Sequence, residues 1–177
     1  MIERLLHFYR LHFWSIERQA RYAGVNMGND NFVASQFWSK EPYLITIGNN
    51  CQITNGVKIF THGGGGAVRN LYPDFDIFGR VVIGNYVYIG NNSLIMPGVT
   101  IGDNVLIGAG SVVTKSIPPN TVVGGNPARI ICHIEEYLRR NIPYNLNSKR
   151  MSSCEKRKLL LSLSENFFIK KAALSFE

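Results

Sequence analysis

From Ile83 onward the chain repeats itself every six residues: IGNYVY, IGNNSL, IMPGVT, IGDNVL, IGAGSV, VTKSIP. Upstream, IGNNCQ and ITNGVK, followed by a broken IFTH, keep the same phase. The first positions are Ile47, Ile53, Ile59, Ile83, Ile89, Ile95, Ile101, Ile107 and Val113, all β-branched and aliphatic. The fifth positions, Cys51, Val57, Val87, Ser93, Val99, Val105, Ser111 and Ile117, are small or apolar. Glycine fills the second position at 48, 84, 90, 102 and 108. A period of six fits neither an amphipathic helix nor an alternating strand. It fits short strands joined by turns, with the first residue of each hexad pointing inward and the fifth filling a smaller inward space. The Gly-Asn and Gly-Asp steps are expected to supply the turn conformations. Three hexads make one triangular coil, and coils stack at about 4.8 Å, each burying its face only against its neighbours. An ordinary sandwich does not hold a fixed six-residue phase. The predicted fold class is therefore an all-β solenoid, a parallel β-helix of hexapeptide repeats. The frame extends back to MGNDNF at Met27 and VASQFW at Val33. Val33 and Ile47 are 14 residues apart, so two extra residues should bulge near Lys40-Glu41-Pro42.

One stretch breaks the pattern. Ile59 and Ile83 are four hexads apart, yet THGGGGAVRNLYPDFDIFGRV between them contains no hexads. The chain should leave the coil after Thr61-His62 and return near Val81, extruding a loop over about 61–81. A structureless loop of this length in a compact domain is often functional. Its Tyr72, Phe75, Ile77 and Phe78 would form a costly exposed patch and should pack on something, such as a neighbouring subunit. His62 stands where the rigid coil ends and four glycines begin, which makes it a candidate functional residue. The glycines let the loop swing clear and allow close backbone approach of a ligand. No Gly-Lys-Ser/Thr follows, so they are not a phosphate loop of the Walker type.

Charge narrows the partners. The net charge is +7, but residues 24–132 carry six basic and five acidic side chains, whereas residues 133–177 carry nine and five. The body shows no basic stripe with interleaved aromatics, which argues against nucleic-acid binding. The basic tail reads as a solvated helical face, with attraction to anionic ligands or membrane-bound substrates as the alternative. The chain has no apolar run long enough to span a bilayer, and its first residues are too interrupted by charge for a signal peptide. Three cysteines, Cys51, Cys132 and Cys154, have no metal spacing and read as reduced thiols of a cytoplasmic protein, with Cys51 in the core.

The hexads, the His-bearing loop and the segment GAGSVVTKSIPPNTVVGGNPARII together resemble the hexapeptide-repeat acyltransferases over roughly residues 25–135. The sugar and polysaccharide O-acetyltransferases are the nearest branch. The resemblance implies a left-handed coil, an exception to the usual right-handed crossover. It also implies a homotrimer with inter-subunit active sites and acetyl-CoA as acyl donor. On the motifs, His62 matches the family's general base, a role suited to an imidazole. Ala109 in GAGS matches a backbone contact to the pantetheine arm. Thr114 and Lys115 in VVTKSIPP match contacts near the nucleotide end, and Arg129 in NPARII a cation near the phosphates. Asn91 falls where relatives place a small polar residue on the donor. The cationic pair is also what a multiply charged anion would recruit. No metal is implied. There are two departures. Many relatives carry an acidic residue directly after the histidine, where this chain has Gly63; Asp74 and Asp76 are candidates to substitute for it. Some carry a second arginine where this chain has Cys132.

The flanks read as helical. Apolar side chains at 2, 5, 6, 9, 13 and 16 suggest one helix over 2–22, with Phe13 and Trp14 packing on the coils or a partner rather than on a membrane. HIEEYLRR suggests a helix from His133 to Arg140, and Ser152 or Ser153 is a plausible N-cap for another. The expected organisation is an N-terminal helical segment (1–24), the β-helix (25–132) and a C-terminal helical tail (133–177).

The function expected is acetyl-CoA-dependent O-acetylation of a sugar hydroxyl by direct transfer, in surface polysaccharide (capsule or O-antigen) biosynthesis. N-acetylation of a nucleotide-linked amino sugar is the rival reading, and a non-catalytic trimeric scaffold the next. A zinc hydratase on the same coil would need three histidines around a metal, and only His62 lies in the coils.

Overall fold

The computed structural model describes residues 2–173, with the side chains of residues 2–4, 6 and 7 outside that description. The chain forms two compact units divided after Ile134.

In the first unit two helices precede the coils, α1 (Ile2–Phe13) and α2 (Ile16–Ala23). One continuous helix was the expectation. It breaks at Trp14-Ser15 because the Ser15 hydroxyl caps the second helix, accepting from the Arg18 N–H at 3.2 Å. Ala20 is fully buried and, with Ile16, seats α2 on the solenoid core. Phe13 stays 70% exposed, so it does not pack on the coils. The part of the expected apolar face at Ile2 and Leu6 lies outside the described side chains.

The coils follow as β1 (Asn26–Met27), β2 (Phe32–Val33), β3 (Ile45–Ile47), β4 (Gln52–Ile53), β5 (Lys58–Ile59), β6 (Val81–Ile83), β7 (Tyr88–Ile89), β8 (Leu94–Ile95), β9 (Thr100–Ile101), β10 (Leu106–Ile107), β11 (Val112–Val113) and β12 (Thr121–Gly124), closed by β13 (Arg129–His133). They form three parallel sheets, β1-β3-β6-β9, β2-β4-β7-β10-β12 and β5-β8-β11, with β13 antiparallel on β12. Equivalent hexad positions pair, as Ile53↔Ile89↔Ile107 do. Each of the nine first-position residues is at most 1% exposed, so the inward columns of isoleucine are the core.

Two details of the repeat differ from expectation. The second-position glycines do not supply left-handed backbone. That conformation falls on the fourth position, at Asn50, Asn92 and Asn104 (φ 56°, 59° and 56°). The glycine is needed instead for coil stacking: a Cβ on Gly48 would lie 2.6 Å from the Gly84 carbonyl oxygen. The residue after it builds a ladder between coils, with Asn49 N–H donating to the Asn85 side-chain oxygen at 2.9 Å and Asn85 N–H to Asp103 at 2.6 Å. Second, Ile117 is not a fifth-position residue in space. It bridges Ile101, taking a first-position place after a shortened hexad.

The two-residue excess before Ile47 is real but has two parts. Phe37 bridges Lys58, so Trp38 reaches its inward place five residues after Val33 rather than six. The spare residues then gather at 39–44, in a left-handed Ser39 (φ 60°) and a 3-10 turn at Pro42–Leu44. The loop leaves after Thr61 and is pinched at its neck by the antiparallel bridge His62↔Phe78 and by Gly79 N–H donating to Thr61 C=O at 2.8 Å. Within it Tyr72, Ile77 and Phe78 remain more than half exposed.

The second unit holds most of α3 (Ile134–Asn141) and α4 (Ser153–Ser162). The first starts one residue later than expected, because His133 pairs with Thr121 as the last residue of β13. Ser152 caps α4 in a reciprocal box with Glu155. Among the described residues, no helix is long and apolar enough to cross a membrane.

Candidate active site

His62 lies at the corner where the chain leaves β5, at the lip of a cavity of about 400 Å³. Lys40, Glu41, Gly63–Gly66, Arg69, Asp76 and Phe78 complete its lining. The His62 side chain is 34% exposed, and its Nδ1 lies 2.6 Å from Glu41 Oε2. The same carboxylate oxygen accepts from the Thr61 hydroxyl at 2.7 Å. A carboxylate only accepts, so Thr61 donates to Glu41, and the Ser39 hydroxyl, 2.8 Å away, donates to Thr61. The Thr61 hydroxyl holds the Glu41 carboxyl below its ordinary range; partial burial opposes this, and the His62 ring adds to the lowering. With Glu41 ionised, Nδ1 carries the proton and donates. In the neutral imidazole the lone pair is then on Nε2.

The acidic partner of His62 is thus Glu41, 21 residues upstream, and neither Asp74 nor Asp76. Asp76 lies at the cavity wall 3.8 Å from Arg69. Sequence reasoning located the two-residue excess at Lys40-Glu41-Pro42 without assigning it a purpose. The signal was present: an insertion carrying an acid, one coil before His62 and at the same corner.

The other candidate residues surround the three-stranded sheet. Asn91 and Ala109 occupy one corner on successive coils, joined by Gly110 N–H donating to Asn91 C=O at 2.8 Å. That corner has little beyond backbone, and a Cβ on Gly110 would meet nothing within 4 Å. Thr114 and Lys115 follow β11 at the opposite corner, on the side where His62 leaves β5. Arg129 opens β13, directly after Ala128, whose N–H donates to Val112 C=O at 2.9 Å. Ala109, Thr114, Lys115 and Arg129 are all exposed. An exposed backbone corner and two exposed cations suit an extended, multiply charged ligand. Cys51 is buried, and burial pushes its thiol pKa up, which fits a packing role.

Residues 80–115 match the model of the bacterial transferase hexapeptide family (six repeats). The chain is 50% identical over 151 residues to Protein CapG of Staphylococcus aureus, across 82% of this chain and 87% of that one. The hexapeptide-repeat acetyltransferase VCA0836 of Vibrio cholerae superimposes with a TM-score of 0.61 at 27% identity, across 75% of this chain and 88% of that one. A galactoside acetyltransferase solved in complex with coenzyme A superimposes with a TM-score of 0.53 at 28% identity, across 72% and 76%. The chain belongs to the hexapeptide-repeat acyltransferase family. It is an acyltransferase, and its solenoid is the left-handed β-helix of that family.

Proposed function

We propose that this chain transfers an acetyl group from acetyl-CoA to a sugar hydroxyl, with His62 as general base. The observation that carries the reading is the His62–Glu41 pair at the lip of an open cavity. The coenzyme A complex of the galactoside acetyltransferase supports the donor and the acceptor class. Nε2 takes the proton of the acceptor hydroxyl as its oxygen attacks the thioester carbonyl. Glu41, already ionised, stabilises the imidazolium that forms and fixes the tautomer. The tetrahedral intermediate then collapses, the carbon–sulfur bond breaks, and the proton on Nε2 passes to the departing thiolate. The donor is held by the Asn91–Ala109 corner and by Thr114, with Lys115 and Arg129 on its phosphates.

The working unit is a homotrimer in this reading, with sites between subunits, and the exposed loop aromatics are covered there. The acceptor belongs to surface polysaccharide synthesis, in the cytoplasm where acetyl-CoA is made and used. Calorimetry with acetyl-CoA tests the donor: wild type binds saturably, and Arg129→Ala binds about tenfold more weakly, as loss of a charge-assisted contact predicts. Absence of binding by folded protein would overturn the reading. A panel of hydroxy and amino sugars then decides between O- and N-acetylation.

A further inference from the structure

The chain has two tryptophans, and both line one cavity that does not contain His62. Trp14 and Trp38 face a space of about 530 Å³ between the N-terminal helices and the first coil, bordered by Arg10, Tyr22, Gln19 and Gln36. Trp38 also directly precedes the 39–44 strap, whose Lys40 and Glu41 line the His62 cavity. Three residues span at most about 11 Å, so the two cavities are neighbours across Ser39.

The chemistry of the second cavity is specific. The Arg10 guanidinium lies 4.1 Å from the centre of the Tyr22 ring and 5.6 Å from that of Trp14. Arg18 stacks on Trp14 at 4.0 Å. A stacked guanidinium uses its π face and keeps its N–H edge for an acceptor. Glu17, in the same segment, pairs with Arg21 at 2.8 Å instead. Gln36 donates to Gln19 at 3.4 Å, a long and displaceable bond between two carboxamides. Indole and phenol walls with guanidinium and carboxamide edges match a pyranose, whose ring faces are apolar and whose rim is polar. Arg10 is the charged side chain on this cavity's lining, whereas the His62 cavity balances Lys40 and Arg69 with Glu41 and Asp76. The N–H edge of Arg10 favours a carboxylate-bearing sugar.

Building on the acetylation reading, we propose that this second cavity is a subsite for an acidic glycan. It holds a further residue of the chain whose acceptor unit lies at His62, with the carboxylate on Arg10 and the ring against Tyr22 and Trp14.

Because both tryptophans line the cavity, intrinsic fluorescence reports on it directly. The probe is tetragalacturonate, with maltotetraose as the neutral control. Tetragalacturonate should change the emission saturably, and maltotetraose should do so far more weakly. Arg10→Gln should raise the half-saturating concentration about tenfold, the loss of one charge-assisted contact. About 0.5 M NaCl should weaken the titration in wild type, where no folding question arises. Lys170→Gln, a charge-matched change in the other unit, should titrate as wild type. A flat titration, equal response to both glycans, or an Arg10→Gln curve matching wild type would overturn the proposal. Acetyl transfer to monosaccharides is scored separately. Transfer with a flat titration overturns the subsite alone. A saturable acid-selective titration with no transfer overturns the acetylation reading and leaves the glycan site standing.

Discussion

Truncating Ile89 to alanine tests the inward columns on which the fold rests. Ile89 is fully buried, between Ile53 on one coil and Ile107 on the next. The change removes three carbons, a transfer loss of about 2.4 kcal/mol at about 0.8 per methylene. A cavity cost adds to this, because the neighbouring coils cannot close the gap. They are held apart by main-chain bonds, Thr54 N–H to Ile89 C=O at 3.2 Å and Gly90 N–H to Ile107 C=O at 2.8 Å. The total expected is about 4 kcal/mol, in the upper part of the range for buried Ile→Ala. Val82 points outward from the same solenoid and is 38% exposed, so Val82→Ala should cost about 1 kcal/mol or less. Urea unfolding followed by circular dichroism, at one fixed protein concentration because association would add to apparent stability, measures both. Equal costs for the two variants, or a loss at Ile89 of under about 1 kcal/mol, would refute the assignment of inward and outward faces.

Two further predictions concern the glycines and the acid limb. Gly48→Ala places a Cβ 2.6 Å from a backbone oxygen of the next coil, so a clear drop in melting temperature is expected. Gly63→Ala meets nothing within 4 Å and should melt within a few degrees of wild type, though a comparable loss at both sites would refute the stacking argument. Glu41 is held below its ordinary value of 4.5, so its contribution to stability is present above that pH and fades as pH falls through the lower folded value. Glu41→Gln should therefore flatten the loss of urea stability on acidification below about pH 4.5; an unchanged acid slope would show that the carboxylate is not engaged in solution.

The solenoid was legible because every inward residue is set by its own coil and the phase survives an extruded loop. Local phase also explains what was missed. Counting hexads assigned Ile117 to a fifth position, but the last coil is shortened, and only the bridge to Ile101 shows it. The second-position glycines suggested turn conformations, whereas at Gly48, Gly84, Gly90 and Gly102 the need is set by atoms of the adjacent coil that a Cβ would approach closer than 3.0 Å, a contact distant in sequence. Glu41 was out of reach for the same reason. Its approach to His62 depends on the five-residue step into Trp38 and the left-handed Ser39, neither of which has a sequence period. The break between α1 and α2 was readable from Ser15, a capping residue inside an otherwise periodic stretch.

His62 is the proposed base in acetyl transfer. The measurement that tests it most directly is single-turnover transfer from acetyl-CoA to an accepted sugar, comparing wild type with His62→Ala at neutral pH. The variant is expected to bind acetyl-CoA as wild type does and to transfer about 10²–10⁴-fold more slowly, the usual contribution of a positioned general base. Transfer by His62→Ala at the wild-type rate would contradict that role.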